Sequence, residues 1–127
     1  MAAQPVNQKG FTLIEVMIAM VLTAIAIMGI IALYVTETKA SGFSRHTTEA
    51  AVLAQDKIEF LRTQGPAATV NTTELNLNER GQAGSGIYER DTTETLVVGQ
   101  YADMVVTIKW NDDGISHQIV MRARRGL

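Results

Sequence analysis

Cysteine is missing from the 127 residues, which excludes disulfides, thiolate metal sites and a cysteine nucleophile, and leaves the compartment open because either redox side tolerates such a chain. An excess of one charge is missing too. Eleven Lys and Arg stand against thirteen Asp and Glu, a formal net charge of −2, and the scattered basic residues make no electrostatic footprint of a nucleic-acid binder. Histidine is limited to His46 and His117. Without a positioned Ser and Asp around them, neither suggests hydrolysis. The glycine-rich stretch at 81–86 has no following Gly-Lys-Ser/Thr and no preceding buried strand, so it reads as a surface loop rather than a phosphate loop. Asn111-Asp112-Asp113-Gly114 lacks the alternating ligands and terminal Glu of a calcium loop and reads as a turn. Glu89, Asp91 and Glu94 read as a solvated strand face rather than an acid pair or cation site. No catalytic residue, cofactor or metal site is expected, and the chain reads as a non-enzyme.

What is present is a long apolar run. Residues 11–35 are almost all apolar and carry a single charge, Glu15. That exceeds the roughly 18 residues that make a membrane-spanning helix the default, and so small a fold could not cover such a helix on every side. The run is longer than the apolar core of a cleavable secretory signal. Lys9 ahead of it favours a cytoplasmic N-terminus, with the body of the chain outside. Glu15 is the anomaly, because a carboxylate in a bilayer is costly and usually has a partner. Met17, Met20 and Met28 read as packing filler.

Behind the run the helical pattern continues in polar form through 36–63, with a bend expected at Ser41-Gly42. Ala50, Leu53, Ala54, Ile58 and Leu61 recur at spacings of three and four and define one apolar stripe. Gly65-Pro66 ends the helix. Residues 64–127 then read as a small β domain with a short strand near 74–77, an exposed Thr-rich strand over 88–95 and a more buried stretch at 96–98. A hairpin at 102–124 follows. Met104, Val106, Ile108 and Trp110 alternate on one arm, and Ile115, Ile119 and Met121 on the other, with His117 on the same apolar parity. A four-residue loop at 111–114 pairs Trp110 with Ile115, Val106 with Ile119, Met104 with Met121 and Asp103 with Arg122. A two-residue Asp113-Gly114 loop shifts the partners and keeps the faces. The fold class expected is α+β: a long N-terminal helix, transmembrane in its first half, packed through its second half on a small antiparallel sheet.

Gly10-Phe11-Thr12-Leu13-Ile14-Glu15-Val16, followed directly by the apolar run, resembles the processing and methylation signature of type IV prepilins and pseudopilins. The resemblance implies a leader, 1–10, cut after Gly10 by prepilin peptidase, and Phe11 as the mature, N-methylated terminus. Glu15 matches the family's acid, implying an assembly charge pair between the Phe11 amine and its carboxylate. More loosely, 54–62 and the hairpin look like PilV-type minor pilins and minor pseudopilin I of type II secretion. The absence of a cysteine pair and of proline within the membrane run departs from many major pilins and favours a minor subunit. The implied function is a minor pilin of a type IV pilus that primes assembly or forms part of the tip complex; a type II pseudopilin is the alternative, and a membrane-tethered binding or enzymatic domain is a rival of another class. Implied partners are major and minor pilins, prepilin peptidase, the inner-membrane assembly platform and a tip adhesin. The implied location is the bacterial inner membrane before assembly, with the C-terminal domain periplasmic, then a pilus or pseudopilus.

Overall fold

The apolar run and the amphipathic segment form one helix, α1 (Leu13–Gln64), in the computed structural model, which describes residues 10–65 and 69–126. Residues 1–9 of the expected leader 1–10, and Pro66, lie outside the described residues. The chain divides into two compact units, Met1–Ala40 and Ser41–Leu127. The expected bend at Ser41-Gly42 does not interrupt the helix.

In the first unit every described side chain is exposed, and the helix is long and apolar enough to cross a membrane. Three of its threonine hydroxyls are satisfied within the helix. Thr23, Thr36 and Thr38 donate to the carbonyls of Ala19, Ala32 and Tyr34 at 2.8, 3.0 and 2.9 Å, so none needs water as a partner in an apolar medium.

The second unit is a helix-on-sheet layer. Four antiparallel strands follow in sequence order: β1 (Val70–Leu77), β2 (Tyr88–Val97), β3 (Tyr101–Asp112) and β4 (Ile115–Gly126). Ala50, Leu53, Ala54 and Ile58 of α1 are buried together with Leu77, Tyr88, Met104, Val106, Ile108 and Trp110, and Leu61 packs at the margin. Period-2 alternation sends the β3 apolar set inward. The α+β class expected from the sequence is the one observed. Gly65, at φ 79°, ends the helix in the left-handed conformation that glycine adopts without strain. Gly86 is required by closeness: a Cβ there would lie 1.6 Å from the Leu77 carbonyl oxygen.

Three expectations are resolved, the first a choice left open between two loops. The β3–β4 register follows the two-residue turn, with Asp112 opposite Ile115, Trp110 opposite His117, Val106 opposite Met121 and Asp103 opposite Arg124. Asp113 and Gly114 take φ of 50° and 78°, the positive pair whose twist matches that of the strands. Ile115 is exposed as a result of ending the hairpin arm, at 61 %. The second correction is β2, expected to be exposed: Tyr88, Arg90, Thr92 and Glu94 all point into the protein, while Val98 is 86 % exposed. Of these inward groups Tyr88, Arg90 and Glu94 find partners, whereas the Thr92 hydroxyl is buried without one among the described residues. Arg90 forks onto the Glu74 carboxylate at 2.7 and 3.0 Å, Lys57 joins at 3.0 Å, and the Arg90 hydrogen bonds hold the Glu74 carboxyl below its usual range. Arg125 Nη2 reaches Glu94 at 3.4 Å, and Nη1 donates to the Leu61 and Arg62 carbonyls at 2.7 and 3.2 Å, satisfying carbonyls that a helix end leaves open. The third correction concerns the acids: Glu89 and Asp91 do face outward, but both pair with Lys109.

Candidate functional site

Thr12 begins the helix. Its carbonyl accepts from the Glu15 and Val16 amides at 3.1 and 3.2 Å, and its hydroxyl accepts from the Glu15 amide at 3.4 Å. Thr12 is therefore the N-cap, Leu13 the first helical residue and Glu15 the third, the Thr-x-x-Glu order of a capping box. Phe11 precedes the cap and Val16 follows one residue after the acid, the positions at which apolar side chains fix the entry of a chain into a helix. The signal was available in the sequence as [ST]-x-x-[DE] ahead of an apolar run. The same residues thus carry both the resemblance to a processing signal and the chemistry that starts the helix.

The structure brings two of the expected site residues to one surface. Phe11 and Glu15 line an open groove of about 650 Å³ along the front of α1, continued by Val16, Ala19, Met20 and Thr23. Phe11 is 82 % exposed. Glu15 lies in the first turn, beside the N–H groups that a helix start leaves open. Gly10 lies ahead of the helix, and a Cβ placed on it would meet none of the described residues within 4 Å.

The histidines belong elsewhere. The His46 ring nitrogen Nδ1 lies 2.8 Å from the Tyr88 hydroxyl, which donates to the Glu49 carboxylate at 2.5 Å. Burial first, and the Glu49 carboxylate second, push the Tyr88 hydroxyl well above its usual pKa. It therefore stays protonated and offers no base. His117 stacks on Trp110 with ring centroids 5.5 Å apart and meets Phe43 edge-on at 5.1 Å. These contacts pin helix to sheet. Among the described residues no three His, Cys, Asp or Glu side chains are grouped as metal ligands would be.

No curated protein and no solved structure gave a match to the chain. Residues 6–33 match the family model described as the prokaryotic N-terminal methylation motif, and this match, over an exposed apolar helix that leads into an α+β body, supports placing the chain with type IV pilin-like and pseudopilin-like proteins.

Proposed function

We propose that the chain is a prepilin: a membrane peptidase cuts after Gly10 on the cytoplasmic face, Phe11 becomes N-methylated, and residues 11–35 carry the subunit from the inner membrane into a filament core. Residues 36–63 join that helix to the periplasmic β domain at 64–127. The filament is a type IV pilus and the subunit a minor one that, with other minor pilins, primes assembly or builds the tip. A minor pseudopilin of type II secretion is the second reading, favoured by the same motif.

The observation that carries this is the motif match at 6–33 on a helix whose start presents Phe11 and Glu15 to one groove. Cutting after Gly10 places a cationic amine on Phe11, the residue before the Thr12 cap, four residues ahead of the first-turn carboxylate of Glu15. Pairing offsets the cost of holding either charge in lipid.

Intact mass of the protein from native membranes tests the proposal. The expected product lacks residues 1–10 and carries one added methyl on Phe11; a full-length, unmethylated chain in a host with the peptidase rejects it. Glu15→Ala should leave the cut intact and reduce incorporation into filaments, and normal incorporation sinks the charge pair. The filament with which the subunit co-purifies, pilus or secretion pseudopilus, decides between the two readings.

A further inference from the structure

The two edges of the sheet are built differently. On β1 the pairing with β2 shifts between Glu74 and Leu77, Asn76 takes a positive φ of 55°, and the loop behind it folds back over the edge. Gly84 and Gly86 both donate to the Asn76 carbonyl at 3.0 Å, and Ala83 bridges to Leu77. A bulge and a covering loop are the usual protection of an exposed edge. On β4 neither occurs. Its register with β3 runs without a shift from Ile115 to Gly126, no strand lies beyond it among the described residues, and it contains no proline.

A ladder closed by a two-residue turn alternates in a known phase, with Asp112 and Ile115 as a hydrogen-bonded pair. The N–H and C=O groups of Ser116, Gln118, Val120, Arg122 and Arg124 therefore point away from β3. Their side chains are exposed as well, so one outer strip presents both backbone groups and side chains. Its charge has one sign. β4 has no Asp or Glu and carries Arg122, Arg124 and Arg125. Arg125 is turned inward to Glu94 and the helix end, and Arg124 is held by Asp103 at 2.7 Å and lies over the Tyr101 ring at 4.1 Å. Arg122 is exposed, and its neighbour across the ladder is Val105.

We propose that the free edge of β4 is a docking edge that takes an extended, acid-bearing strand from another protein. Main-chain bonds to the outward groups supply affinity, and an acid opposite Arg122 supplies choice of partner. A second copy fits less well. Pairing β4 with β4 brings the same arginines together, and β1 of a neighbour offers one acid, Glu74, already engaged by Arg90 and Lys57. The inference rests on the β domain alone and stands whether or not the chain enters a filament.

The test uses the full chain in non-ionic detergent micelles and fluorescence anisotropy with labelled peptides. One peptide alternates Val and Asp; a second is the same with alternate backbone amides N-methylated; a third replaces Asp by Lys. The Val-Asp peptide should bind, with the other two about tenfold weaker or worse, and Arg122→Glu should weaken the acidic peptide about tenfold and improve the Lys peptide. Val120→Pro removes an outward N–H that β3 does not use, at an edge where proline is tolerated, and should also weaken binding. If that variant unfolds, the N-methylated peptide makes the same test from the other side. Equal binding of the N-methylated peptide, indifference to Arg122→Glu, or no binding overturns the proposal. Self-association lost in Arg122→Glu, without peptide binding, assigns the edge to a second copy instead.

Discussion

The front and rear of α1 are one helix with opposite relations to their surroundings. Up to Ala40 every described side chain is exposed, large apolar residues included; behind it Ala50, Leu53, Ala54 and Ile58 are buried at 0–5 % exposure. The rear stripe is narrow because a sheet covers only one face. The front is apolar all round, as a segment must be when lipid or neighbouring helices surround it. Apolar surface that the chain does not cover itself points to an environment outside the chain, and the difference lies in breadth of the apolar arc rather than in helix propensity.

The sharpest way to break that comparison is a matched pair of truncations. Leu53→Ala removes a side chain that is 1 % exposed and should cost about 2–5 kcal/mol of β-domain stability in denaturant unfolding. Leu22→Ala, at a residue 61 % exposed, should shift the same transition by less than about 0.5 kcal/mol. A comparable loss at Leu22 would mean that the front helix stabilises the domain, and the contrast would fail.

The next test concerns the rear helix end. Arg125→Ala leaves Glu94, 2 % exposed, without its cation and frees the Leu61 and Arg62 carbonyls, which should cost about 2–3 kcal/mol. Glu94→Gln with Arg125 intact should cost less, because an amide still accepts a hydrogen bond. Equal losses would show that the charge, rather than the cap on the helix carbonyls, is what matters.

The legible parts of the molecule were those governed by local periodicity. Leu53 and its stripe follow from spacings of three and four, and Met104 to Trp110 from spacings of two. Gly10, Phe11 and Glu15 stand out in the sequence because a carboxylate inside an apolar run has few explanations, and the roles read for them belong to the proposed function. β2 was illegible for a physical reason. Arg90 and Glu94 look like solvent-facing residues until Glu74, Lys57 and Arg125 arrive from other elements to pair with them, and such partners have no signature at the strand itself. The hairpin register was undecided between two loops, since both kept the apolar faces; the positive φ values of Asp113 and Gly114 decide it.

A pH titration sharpens the contrast further. Among the described residues beyond the apolar run, Glu74 has a carboxyl lowered mainly by its Arg90 hydrogen bonds. A group whose pKa is depressed on folding contributes stability that is complete above its unfolded value, about 4.3, and is lost as pH falls through the lower folded value. Domain stability should therefore decline as pH drops from about 5 toward 3, and Glu74→Gln should flatten that slope while lowering stability at neutral pH. An unchanged slope in Glu74→Gln would assign the acid sensitivity to other carboxylates, with Asp91, lowered by its Lys109 hydrogen bond, next in line.

The smallest expected effect separates the two ends of α1. At the front, the cap is local: the Thr12 hydroxyl accepts from Glu15 at 3.4 Å, a long bond, while the Thr12 carbonyl already accepts from the same amide at 3.1 Å. At the rear, the carbonyls of Leu61 and Arg62 are met by a guanidinium from β4. Thr12→Ala removes only the weaker half of the front cap and should cost about 0.5–1 kcal/mol, felt within the first turn. In micelles, amide hydrogen exchange at Glu15 should quicken by about two- to fivefold, with no change at Leu53 or in the sheet. Exchange that quickened along the whole front helix would mean that the cap governs the stability of the span, making Thr12 a determinant of anchoring and not only of where the helix starts.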